Sequence, residues 1–221
     1  MLYLELGVIP LGDVIKERRL RFMHAILNED KNSLNYRFFQ AQLNHPTKKD
    51  WVSSVKKDLQ SLKINISFDE IKQKTKSNFN NFVHEKIYQN VFDRLNEEKK
   101  RYSKVSELEY NALGRQKYLQ ANSYRLNKEE AQLIFKFRSR TVDVKGSMQW
   151  NYADTVCDGC GEEDETQEHV FYCESLREEG RIRKIKYDKI EYGSVEDKAE
   201  AANIFKEILR QLKTLRKNVP Q

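Results

Sequence analysis

Apolar residues recur at helical spacing along most of this chain. Between Asn78 and Lys100, the residues Phe79, Val83, Ile87, Val91 and Leu95 fall at every fourth position, and Phe82 and Phe92 widen the stripe. That spacing keeps side chains on one face of a helix, so it predicts a long amphipathic helix whose stripe is core. A first helix is expected over Asp13 to Leu27, after an apolar, Pro-containing extension, and a second over Leu34 to Leu43, stopped by Asn44 and Pro46. Thr47 or Asp50 caps DWVSSVKKDLQSL, which carries Trp51, Val55, Leu59 and Leu62 on one face. Ser67 with Glu70, and Asn127 with Glu130, have capping-box spacing before further helices. In the second of these, Leu133, Ile134 and Phe137 are expected to face inward.

The stretch from Ser103 to Tyr118 reads as partly helical, interrupted by Gly114. From Thr141 to Thr155 the helical period fades, and the alternation Trp150, Tyr152, Val156 predicts a short strand. A charged helix is expected over ESLREEGRIRKIKY, broken at Gly180. Ser194, with Asp197 three on, caps a last helix whose stripe is Val195, Ala199, Ala202, Phe205, Leu209, Leu212 and Leu215. The fold class is therefore mainly α: a helical bundle or array, then a small segment of weak helical signal, then a C-terminal helix. The expected division is 1–145, 146–180 and 181–221.

Composition agrees. Eight Gly and three Pro in 221 residues are too few for a turn-rich β fold. No apolar run approaches a membrane span, and the N-terminal stretch lacks the basic n-region of a secretory signal. The net charge of +6 is uneven. Residues 1–150 carry 28 Lys and Arg against 18 Asp and Glu, whereas residues 151–221 carry 12 against 16. A basic front suits a polyanion partner, though solvated helix faces would give the same balance.

The chemistry concentrates in CDGCGEEDETQEHVFYC. All three cysteines, Cys157, Cys160 and Cys173, lie in this span with His169, spaced C-x2-C-x8-H-x3-C. His169 and Cys173 share one face of a helical turn. Three thiolates and an imidazole form a closed tetrahedral set suited to Zn2+, with no position left for a catalytic water. A buried thiol cluster and a redox Cys-x-x-Cys are the competing readings; the second lacks the strand-to-helix setting it needs. Thiols held for metal imply a reducing compartment, nucleus or cytoplasm. His24, His45 and His84 stand apart from any serine, cysteine or carboxylate constellation, so no catalytic residue is expected.

YLELGVIPLGDVIKERRLRFMHAIL, DWVSSVKKDLQSL, KVSELEYNALGRQKYL, LIFKFRSRTVDVKGSM and the knuckle, in that order, resemble the C-terminal region of reverse transcriptases from non-LTR (LINE-like) retrotransposons. The resemblance spans roughly residues 1–176, and ETQEHVFYC carries it most specifically. It implies thumb, helical connector and CCHC zinc knuckle, with Cys157, Cys160, His169 and Cys173 as ligands. Such polymerases hold two Mg2+ ions on palm aspartates, including Tyr-x-Asp-Asp; this chain has no Asp-Asp pair. The resemblance thus implies a non-catalytic module that binds RNA or DNA, with the remaining polymerase domains as further partners. The expected phosphate contacts are Lys16, Arg18, Arg19, Arg21, Lys99, Lys100, Arg101, Arg138, Arg140 and Lys145, and downstream of the knuckle Arg177, Arg181, Arg183, Lys184 and Lys186. Trp150, Tyr152, Phe171 and Tyr172 are candidate stacking platforms, though such an aromatic is more often core than platform. Against this, GEEDETQE is acidic and repels phosphate. The alternative is a zinc-stabilised protein-interaction or structural module.

Overall fold

The structure is a computed structural model that describes residues 2–103, 105–120, 126–176 and 187–217. It is mainly helical. The described residues form no strand; one isolated antiparallel bridge joins Val156 and Asp164. Chain contacts define two compact units: Leu2–Glu97 with Asn111–Gly114, and Glu98–Tyr110 with Arg115–Gln221. None of the described helices is long and apolar enough to cross a membrane.

The first unit contains α1 (Leu2–Leu6), α2 (Leu11–Leu27), α3 (Leu34–Asn44), α4 (Trp51–Ser61), α5 (Phe68–Gln73) and most of α6 (Lys76–Lys99). The N-terminal segment read as an extension thus opens with a short helix, and Pro10 stands at the N-cap of α2. Local chemistry sets the other starts. The Ser33 side chain accepts from the Tyr36 N–H, and Asp50 rather than Thr47 caps α4, accepting from the Ser53 N–H at 2.6 Å. Ser67 and Glu70 close a capping box on α5. The α6 stripe is core throughout: Phe79, Val83, Ile87, Val91 and Leu95 are all buried. Its link to α2 is partly polar: Arg94 pairs with Asp13 at 2.7 Å, and His84 Nδ1 lies 3.1 Å from Glu17 Oε1.

The second unit contains α7 (Lys128–Arg138), α8 (Gln167–Tyr172), α9 (Asp188–Tyr192) and α10 (Val195–Lys217). Asn127 and Glu130 form the expected capping box on α7. Of the described part of 103–118, only the 3₁₀ turn Lys117–Leu119 is helical; the rest carries turns and bends and no α-helix. Lys99 holds it from outside its own segment, its ammonium donating to the carbonyls of Ser106 (2.9 Å) and Leu108. The strand expected around Trp150 is also absent. Gln149–Asn151 make a single 3₁₀ turn, and Val156 enters only an isolated bridge to Asp164 that closes the Cys157–Cys160 loop.

The described knuckle residues pack into the second unit. Cys157, Val170, Phe171, Cys173 and Leu176 share one hydrophobic cluster with Ile134 and Phe137 of α7 and Phe205, Ile208 and Leu212 of α10. Phe205 sits at its centre, 3.5 Å between ring centroids from Phe137 and 5.1 Å from Phe171. A loop this polar has no core of its own, so it borrows one. The buried stripe of α10 is Ala201, Ala202, Phe205, Ile208 and Leu212, which leaves Leu215 outside. The charged helix expected over 177–186 lies outside the described residues.

Candidate metal centre

The ligand atoms of Cys157, Cys160, His169 and Cys173 all lie within 4.8 Å of one another. Tetrahedral bonding at about 2.3 Å to sulfur and about 2.0 Å to nitrogen puts donors roughly 3.5–3.8 Å apart, so the cluster has the size to hold a metal ion. Cys160 Sγ and His169 Nε2 stand 3.4 Å apart.

Local rules place each ligand. The Val156–Asp164 bridge and the Cys157 N–H donated to Glu163 O (2.8 Å) close the loop that carries the first two cysteines. Gly159 donates its N–H to Cys157 Sγ at 3.3 Å. A Cβ on Gly159 would stand 2.7 Å from the Leu176 side chain, so the turn needs glycine to reach the core. Gly161, at φ +72°, supplies the left-handed residue after the second ligand. Thr166 caps α8 by accepting from the His169 N–H at 3.0 Å. At the other end of α8 the Cys173 N–H donates to His169 O at 2.7 Å, so one short helix presents both distal ligands.

Cys157 and Cys173 are buried, while Cys160 and His169 form the open edge. Burial pushes the Cys157 thiol up to about 12. The N–H groups of Glu163 and Glu162 bring the Cys160 thiol down to about 7. A cation shared by the sulfurs is what would keep all three as thiolates. His169 Nδ1 lies 3.0 Å from Glu163 Oε2, which orients the ring with Nε2 toward the cluster.

Beneath the loop lies an ionic network. Glu165 is fully buried. It accepts from the backbone N–H groups of Lys145 (2.9 Å) and Asp158 (3.2 Å) and from the Arg216 guanidinium. Arg216 also reaches Asp158 at 2.9 Å and stacks 4.7 Å above Tyr152. Lys145 pairs with Asp154 (2.8 Å) and Asp158 (2.7 Å). Burial alone would lower the Lys145 ammonium; the two carboxylates more than offset this and hold it above its ordinary value. Asp154, Asp158 and Glu165 are thus matched from within, which the sequence did not disclose, while Glu162, Glu163, Asp164 and Glu168 stay exposed.

The expected nucleic-acid residues scatter. Lys16 pairs with Asp13, Arg19 with Asp58 and Arg21 with Glu17. Lys99, Arg138 and Lys145 are buried, their charge committed inside their own unit. Arg138 donates to Glu191 O at 2.7 Å, and Arg140 pairs with the Glu191 carboxylate at 3.0 Å. Arg18, Lys100, Arg101 and Trp150 are exposed, Trp150 at 74 %. Phe171 is core, and Tyr172 accepts from the Tyr187 N–H. Arg177, Arg181, Arg183, Lys184 and Lys186 lie outside the described residues. Sequence reasoning missed Glu163, Glu165 and Arg216; the run of acids hid the first two, and nothing marked Arg216.

No protein-family model matches this chain, and neither a curated protein nor a solved structure matches it.

Proposed function

We propose that this chain is a non-catalytic, zinc-stabilised nucleic-acid-binding module, similar to the C-terminal region of a non-LTR retrotransposon reverse transcriptase, that holds RNA or DNA in target-primed reverse transcription. The observation that carries the zinc assignment is the gathering of Cys157, Cys160, His169 and Cys173 around one point. Soft sulfur with one imidazole favours zinc over calcium or magnesium, and four protein ligands leave no open position for chemistry. The zinc is then a structural staple that fixes α8 and the metal loop onto α7 and α10.

Nucleic-acid binding is supported by the charge of residues 1–150, 28 Lys and Arg against 18 Asp and Glu. The metal loop repels phosphate, so helices elsewhere would make the contacts. A salt titration of labelled RNA and DNA binding to the zinc-loaded chain tests this. Affinity should fall steeply as salt rises; no binding at low salt removes the reading.

The second reading is a zinc-stabilised protein-interaction or structural module. The exposed carboxylates of Glu162, Glu163 and Glu168 beside the metal favour it, because they suit a basic protein rather than a polynucleotide. The apolar stripe of α10 offers it little, since Phe205, Ile208 and Leu212 are consumed by the unit's own core. Light scattering with and without chelator separates the two: a metal-dependent oligomer with no nucleic-acid affinity would select the second.

A further inference from the structure

The cations of the first unit divide by what they touch. Lys16, Arg19, Arg21 and Arg94 are bound to carboxylates of that unit. Lys72, Lys74, Lys76 and Lys86 are all exposed, and none of them forms an ion pair among the described residues. The run from Lys72 to Lys86 holds these four lysines against one acid, Glu85. Three of the lysines gather on two aromatic rings. Lys72 Nζ lies 6.0 Å from the centre of the Tyr36 ring, and Lys74 and Lys86 lie 5.5 and 5.9 Å from that of Phe82. Both rings are half-buried.

The corner is also rigidly placed. Lys74 sits in the two-residue link between α5 and α6. Its N–H donates to Ile71 O at 3.1 Å, and its carbonyl accepts from Nε2 of the buried His24 at 2.9 Å. His24 in turn stacks on Phe79, 4.8 Å between ring centroids.

We infer that the α5–α6 corner is a single-stranded nucleic-acid surface, with Lys72, Lys74 and Lys86 taking successive phosphates and the Tyr36 and Phe82 rings offering faces to bases. Glu70 feels the Lys74 charge, but cations outside any close ion pair are the ones whose counterions a polyanion can release. Aromatic faces set among them distinguish a single strand, which can stack its bases, from an acidic peptide, which cannot. The inference rests on the nucleic-acid reading above and narrows it to a surface that reading did not include.

The test uses the full zinc-loaded chain and fluorescein-labelled 20-nucleotide oligo(U), oligo(dT) and a 20-residue poly-Glu peptide, read by anisotropy across a salt series. The triple variant Lys72→Glu, Lys74→Glu, Lys86→Glu should lose at least about tenfold in affinity for a single strand, and its log–log salt slope should shrink by about 2. Phe82→Leu should weaken binding by about fivefold or more. A matched triple, Lys48→Glu, Lys49→Glu, Lys57→Glu, should lose much less. Circular dichroism and zinc content confirm folding of each variant. Equal losses in both triples would overturn the surface while leaving nucleic-acid binding intact. Absent binding by the unmodified chain would instead remove the broader reading. Tighter capture of poly-Glu than of either oligonucleotide, indifferent to Phe82, would replace the strand with an acidic peptide. Comparison of oligo(U) with oligo(dT) assigns RNA or DNA.

Discussion

Arg216, in the last turn of α10, is paired with Glu165, a fully buried carboxylate of the metal loop. The two residues are 51 apart in sequence. The contact joins the metal centre to the far end of the chain's last described helix.

Breaking this pair from one side should be costly. Arg216→Met leaves Glu165 buried with only backbone donors, and losing one partner of a buried pair typically costs about 3–5 kcal/mol. A urea midpoint lowered accordingly, with Arg216→Lys in between, is the expected outcome. A loss below about 0.5 kcal/mol would show that the carboxylate is satisfied without the guanidinium.

Removing the metal should unfold more than a loop. Cys157 and Cys173 belong to the cluster that also buries Phe205 and Leu212. Structural zinc contributes on the order of 10 kcal/mol at peptide-scale sites. A strong chelator, or Cys157→Ser, should therefore reduce the helical signal of α8 and α10 and abolish stoichiometric zinc. Helical content unchanged in chelator would refute the staple.

Glu163→Gln tests the outer contact to His169. The imidazole loses a charged acceptor at Nδ1, and the expected fall in metal affinity is about 10–100-fold with the fold retained. Competition with a chromogenic chelator measures it; equal affinities would make the 3.0 Å contact incidental.

Asp50 gives a pH test far from the metal. The N–H groups of Ser53 and Thr47 hold its carboxyl down to about 2. An unfolded aspartate titrates at about 3.9, so the folded state favours the ionised form. The cap's contribution is complete above about pH 4 and is lost as pH falls toward about 2. Thermal midpoints of the unmodified chain and Asp50→Asn should differ most near pH 6 and converge by pH 2. A gap independent of pH would contradict the assignment.

The helices were legible where local chemistry and long-range packing agree. The fourfold spacing of Phe79 to Leu95 and the two capping boxes survive unchanged because each works inside its own segment. Over 103–118 the helical part shrinks to the 3₁₀ turn at Lys117–Leu119, and Lys99 holds the Ser106 and Leu108 carbonyls from another element, which no pattern marks. The Cys and His spacing announced the cluster of four donor side chains, since donors able to share one ion must come close. Spacing says nothing about which charges pair. Lys145 and Arg138 looked like surface cations and instead serve the interior, and Glu165 looked like part of a repulsive loop.

The Arg216 contact also sets an order of events during synthesis. The ligands emerge from the ribosome well before Arg216 does, so the metal can be captured while Glu165 still lacks its guanidinium. A bound ion and the loop's own backbone hydrogen bonds would then hold the nascent loop until the helix arrives to seal it. Expression in metal-poor medium should therefore lower the yield of folded chain relative to metal-replete medium.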